Sequence, residues 1–97
     1  MKKVYIVNRS AHDFSMAERY GELVSLSEGS MNRYGTNNME RKFSEAMEDS
    51  EDSDYILLCG LSVMNVIACS IFTDKHRRLN LLMFKDGAYV ERNVIFR

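Results

Sequence analysis

Val4-Tyr5-Ile6-Val7, followed by Asn8-Arg9-Ser10-Ala11-His12-Asp13, sets the architecture. An unbroken run of β-branched and aromatic residues suits a strand covered on both faces, and the polar segment behind it suits a loop at the strand's exit. The arrangement recurs twice. Leu23-Val24-Ser25-Leu26 is followed by Ser27-Glu28-Gly29, and Tyr55-Ile56-Leu57-Leu58-Cys59 by Gly60-Leu61-Ser62. In an open α/β sheet these exits gather at one edge, where ligands bind.

The segments between the strands read as helices. A short one is expected over Phe14 to Tyr20, capped by Asp13 or Ser15, with Ser15-Met16-Ala17-Glu18 as a capping box and Gly21 ending it in a left-handed conformation. Strand two spans Glu22 to Leu26. Ser27 to Thr36 carries Gly29 and Gly35 and reads as a surface loop long enough to be functional. From Asn37, which offers a cap, a helix places Met39, Phe43, Ala46 and Met47 on one face. The acidic run Glu48 to Asp54 reads as a solvated connection, with a surface for a protein partner as the alternative. Strand three, Tyr55 to Cys59, belongs at the centre of the sheet.

The helix expected over Ser62 to Arg77 is apolar around most of its circumference: Val63, Met64, Val66, Ile67, Ala68, Cys69, Ile71 and Phe72. One apolar stripe is enough to cover a sheet. The helix therefore either sits deep or buries a second face against another subunit, and in a domain this small the second reading leads: a homodimer formed through the Val63 to Phe72 helix. Lys75-His76-Arg77-Arg78 complements the helix dipole or holds a phosphate. Leu79 to Lys85 and Ala88 to Phe96 are strands joined by an Asp86-Gly87 turn, the last of them a half-exposed edge.

Residues 1–97 therefore read as a single α/β domain, small, three-layered and Rossmann-like or flavodoxin-like. The expected order is 2-1-3-4, mainly parallel, with strand five forming an antiparallel C-terminal edge hairpin. Thirteen basic against 14 acidic residues give a net charge of −1, without the basic excess of general nucleic-acid binding. The apolar run before Asn8 is too short for a secretory signal, and no stretch approaches membrane-spanning length, so a cytoplasmic location is expected and no membrane partner. Cys59 and Cys69 read as reduced core residues.

The candidate ligand-binding residues lie at the strand exits: Asn8, Arg9, Ser10, His12, Glu28, Arg33, Gly60, Ser62 and Asn65. Arg9 and Arg33 can neutralise an anion, with Arg33, Tyr34 and Arg41 closing from the long loop. Asn8, Ser10 and His12 can orient polar groups. Glu28 holds the place where dinucleotide sheets carry an acid for ribose hydroxyls. Amides at helix starts near Asn37 and Gly60-Leu61-Ser62 can receive an anion. Ordinary roles compete with each of these: caps for Asp13, Asn37 and Ser62, close packing for Gly60, a surface acid for Glu28. GxGxxG, GxxxxGK[ST] and GxSxG are all missing, and His12 and His76 have no metal-ligand spacing. No catalytic set, metal or cofactor is expected.

Tyr5-Ile6-Val7-Asn8-Arg9-Ser10-Ala11-His12-Asp13-Phe14-Ser15, with Leu26-Ser27-Glu28-Gly29, Asp54-Tyr55-Ile56-Leu57-Leu58-Cys59-Gly60-Leu61 and Leu79-Asn80-Leu81-Leu82, resembles a group of small tailed-bacteriophage accessory proteins of no assigned activity. The resemblance covers nearly the whole chain. It implies a phage origin and work in an infected bacterium, and no residue role comes with it. By class-level analogy such proteins trap a nucleotide signal of host defence or bind a defence protein. The leading expectation is a non-enzymatic binder of a small anionic, nucleotide-like ligand. The alternatives are an inhibitor or regulator of a host protein, and a small nucleotide phosphodiesterase with His12 as general acid or base.

Overall fold

The computed structural model describes all 97 residues. Its elements are β1 (Lys3–Ile6), a 3-10 helix (Ser15–Tyr20), β2 (Glu22–Ser25), α1 (Thr36–Ala46), β3 (Tyr55–Leu57), α2 (Ser62–His76), β4 (Arg78–Lys85) and β5 (Ala88–Ile95). They form one sheet in the order β2-β1-β3-β4-β5, parallel up to β4 and antiparallel at β5. The α/β class, the strand order and the C-terminal hairpin are those expected from the sequence. Asp86 and Gly87 take φ values of 52° and 83°, the positive pair that a two-residue hairpin turn needs.

Alternation along β1 supplies both cores. Tyr5 and Val7 join Leu26, Met39, Phe43, Ile56 and Phe72 under α1 and α2. Val4 and Ile6 join Phe14, Ala17, Leu57, Leu82 and Tyr89 on the opposite face, under the 3-10 helix. Successive parallel strands to one side of β1 and then to the other require their connections to cross opposite faces. The third layer is therefore thin, a single 3-10 helix.

That element departs from the helix expected at Phe14 to Tyr20. Phe14 and Ala17 are buried and Tyr20 is half-buried, a spacing of three that suits 3.0 residues per turn better than 3.6. The capping box does not form; the Asp13 carboxylate instead accepts the Ser15 N–H at 2.9 Å. Gly21 is extended (φ 159°, ψ −174°) rather than left-handed. It is needed for close approach, because a Cβ there would stand 2.4 Å from the Lys2 carbonyl oxygen.

The helix starts differ as well. α1 begins after Gly35 and α2 after Leu61, neither with a side-chain cap, so Asn37 and Ser62 are not caps. α2 ends at His76, and Arg77 takes the left-handed position at φ 57°. The basic cluster is used internally: Lys75 Nζ donates to the Met47 and Glu48 carbonyls at 2.9 Å each, beyond the end of α1. His76 Nε2 lies 2.8 Å from Ser50 Oγ. On α2, Met64, Ala68 and Phe72 are buried, while Val63, Ile67, Cys69 and Ile71 are half-buried. Val66 alone of the apolar set is widely exposed, so α2 offers a second subunit less apolar surface than its composition implies.

The acidic connection is solvated except at its end. Asp54 is buried and accepts the N–H groups of Lys3 (2.9 Å) and Glu51 (2.8 Å). Buried Asn80 donates to the Asp52 and Asp54 carbonyls at 2.7 and 2.8 Å. Together they pin the 48–54 loop to β1 and β4.

Candidate functional site

β1, β2 and β3 all exit at one edge, and the β1–β2 ladder reaches past both strands. An isolated parallel bridge joins Arg9 and Glu28, with Arg9 N–H donating to Ser27 O (2.8 Å) and Gly29 N–H to Arg9 O (3.0 Å). Between strand and bridge the chain bends at Val7 and Asn8. The bend reverses the alternation. Asn8 turns toward the face of α1 and α2, and Arg9 turns toward the 3-10 helix.

Arg9 Nε bonds Ser25 Oγ at 2.6 Å, and its guanidinium lies 5.8 Å from the centre of the Phe14 ring. It lines a hollow of about 780 Å³ with Lys2, Arg19, Glu18 and Glu22. Lys2 and Arg19 there also lie over rings, those of Tyr55 and Tyr20, and the two glutamates oppose them. Its cations are committed locally, so this hollow, though large, does not focus positive charge on one point.

On the helix face Asn8 lies beside Gly29, Ser30, Met31, Arg33, Gly60 and Met64, around a recess of about 300 Å³. Both ends of its amide are engaged. Nδ2 donates to Gly29 O at 3.1 Å, and Oδ1 accepts from Ser27 Oγ at 3.0 Å. Buried Ser27, not among the residues expected at the site, shares its one hydroxyl proton between Asn8 Oδ1 and the nearer Val7 O at 2.7 Å. Gly60 has φ 83°, and a Cβ on it would stand 2.8 Å from Asn8 Cβ. Cys59 Sγ donates to Asn8 O (3.3 Å) and accepts Asn8 N–H (3.5 Å); burial pushes the thiol up, holding it protonated. Asn65 accepts the Cys59 N–H (3.2 Å) and donates to Leu61 O (3.0 Å), tying the β3 exit to α2.

A second recess, about 540 Å³, shares Arg33 with the first and is lined by Tyr34, Thr36, Leu61, Ser62 and Val63. It is an open cleft between the long loop and the first turns of both helices. First-turn N–H groups have no partner within their helix. Tyr34 is 84% exposed. Arg33, Gly60 and Ser62 thus border these adjoining recesses together with Asn8, while Arg9, Ser10, His12 and Glu28 line neither. His12 lies edge-on between Phe14 (5.0 Å) and Phe84 (5.2 Å), on the 3-10 side. Arg41 bonds Asn38 Oδ1 at 3.2 Å. No three His, Cys, Asp or Glu side chains are grouped to hold a metal ion, and no helix is long and apolar enough to cross a membrane.

An open, mostly parallel α/β sheet with a cleft at its strand exits defines the class. Within it, the chain belongs to the family described as Phage Pam3 gp32-like protein, whose model matches residues 2–95. It is a small phage protein. No curated protein and no solved structure matches it.

Proposed function

We propose that this phage accessory protein binds a small anionic, nucleotide-like ligand without turning it over. The site is the cleft between the 29–35 loop and the start of α2. The observation that carries this reading is that Arg33, Tyr34 and the first turns of α1 and α2 line one hollow. Free N–H groups and the positive ends of two helix dipoles favour an anion there, and Arg33 can pair with it. The exposed Tyr34 face suits stacking of a base, worth roughly 1–3 kcal/mol. A volume of about 540 Å³ is within the range of small-ligand sites. The protein would work in the infected host's cytoplasm by sequestering a defence signal. The aromatic surroundings of His12 lend a phosphodiesterase no support.

Calorimetric titration with inorganic phosphate and with mono-, di- and cyclic nucleotides tests the proposal. Arg33→Ala should weaken binding about tenfold or more, the loss of one charge-assisted contact. Tyr34→Ala should weaken nucleotides and spare phosphate. Arg9→Ala should leave affinity unchanged, because Arg9 turns to the other face. Folded protein that binds nothing in the panel would end the proposal.

A further inference from the structure

β5 pairs with β4 alone, so the far side of the sheet is an open edge. The two-residue turn makes Lys85 and Ala88 a mutually bonded pair, after which bonded and non-bonded pairs alternate. Even-numbered residues of β5 therefore bond β4. The Phe96 N–H donating to Arg77 O at 3.0 Å keeps to that alternation. Odd-numbered Glu91, Asn93 and Ile95 turn their N–H and C=O groups outward, where the Glu91 C=O accepts the Arg92 guanidinium at 2.8 Å and no other β-strand pairs with them. The end of this strand is also apolar: Val94, Ile95 and Phe96 are 39, 71 and 38% exposed, and Val66 of α2, 63% exposed, shares a hollow with Phe96. Proteins usually shield an edge of this kind.

We infer that the shield is β5 of a second copy, paired antiparallel across a two-fold axis at Val94, so that two five-stranded sheets become one. The charges select this register. A two-fold axis normal to the sheet sets residues of the same face opposite one another. Centred at Arg92 or Glu91, it sets that charge against its own copy, which is destabilising. Centred at Asn93, it sets Glu91 against Ile95 and Arg92 against Val94. Centred at Val94, it sets Glu91 opposite Arg97 of the second copy and Arg92 opposite Phe96 of the second copy, a cation over a ring. Val94 then packs on its own copy, and Asn93 and Ile95 exchange the outward backbone bonds. Both strand charges thus find a favourable partner at the Val94 register.

Sedimentation equilibrium over a dilution series reads the result. The wild type should approach twice the 11.3 kDa chain mass. Glu91→Arg should weaken the dimer about tenfold or more, because two attractive pairs become repulsive, and Arg97→Glu should do the same. Combining the two should restore it. Val94→Lys, which sets two ammonium groups together at the axis, should give monomer. Circular dichroism and a thermal melt on each variant confirm that it is folded. Monomeric wild type at every concentration, or a dimer indifferent to both Glu91→Arg and Val94→Lys, would overturn the inference.

Discussion

Replacing Gly60 with alanine tests whether the junction between β1 and β3 is a packed joint. At φ 83° an L-residue loses roughly 1–2 kcal/mol relative to glycine. The new methyl would also stand 2.8 Å from Asn8 Cβ and 3.3 Å from Met64 Sδ. The methionine can move, but Asn8 is held by Gly29 and Ser27 through both ends of its amide. Forcing a methyl into so fixed a place costs a further ~1–3 kcal/mol. Gly87 is the internal control: it has the same φ of 83° with nothing within 4 Å of the added carbon. Alanine there carries only the conformational cost, and both substitutions restrict the unfolded chain alike. In urea denaturation Gly60→Ala should be the less stable of the two by ~1–3 kcal/mol, with its melting midpoint lower by about 4–8 °C for each kcal/mol. Equal losses at the two sites would refute the packing argument and make Gly60 a turn residue only.

Asp54→Ala removes the acceptor for two backbone N–H groups, those of Lys3 and Glu51, and should cost ~2–4 kcal/mol in the same assay. Asp54→Asn keeps one carbonyl acceptor and should lose less; equal stability of wild type and Ala variant would show that the 48–54 loop is held some other way. Burial, with smaller contributions from Asp54, Asp49 and Glu51, pushes the Tyr5 phenol from 10.0 up to about 12. A raised folded-state value stabilises fully below pH 10, and that contribution is lost as pH climbs toward 12. Tyr5→Phe should therefore flatten part of the alkaline loss of stability, leaving a residual slope from Tyr55 and Tyr89, whose phenols burial also raises. At neutral pH the change should cost under about 1 kcal/mol, because the buried Tyr5 hydroxyl has no hydrogen-bond partner. Superimposable stability–pH curves for the two proteins would contradict this.

The architecture was legible because it follows from long-range patterning. A strand buried on both faces, such as Val4 to Val7, has few places to go except the middle of a parallel sheet. Asp86-Gly87 specified its turn by backbone conformation alone. Local signals misled where tertiary contacts competed with them. Ser15, Asn37 and Ser62 have cap chemistry, but main-chain geometry at Phe14, Gly35 and Leu61 starts those helices. The Phe14, Ala17, Tyr20 spacing was a visible sign of a 3-10 helix, though only two turns long. Buried Asp54 was hidden in an acidic run that reads as solvated, because the Lys3 N–H it accepts and the Asn80 amide that binds its carbonyl are distant in sequence.

The candidate site was legible as an edge but not as a face. Strict alternation from Tyr5 and Val7 would carry Arg9 to the helix side and Asn8 to the other. The bend at Val7-Asn8 exchanges them, and no residue type in Val7-Asn8-Arg9 signals a bend. The consequence reaches further than two side chains. In a doubly wound sheet the natural crevice lies where neighbouring strands send their connections to opposite faces, here between β1 and β3. That crevice is filled, by Asn8 folded over Gly60 and by the Cys59 thiol bonded to the Asn8 backbone. Any ligand of this edge is displaced from the switch point onto the helix layer, where Arg33 and Tyr34 project from the loop that follows β2. Affinity should then depend on the loop and on the α2 start more than on the β1 exit, and substitutions at Arg9 or His12 should leave it untouched.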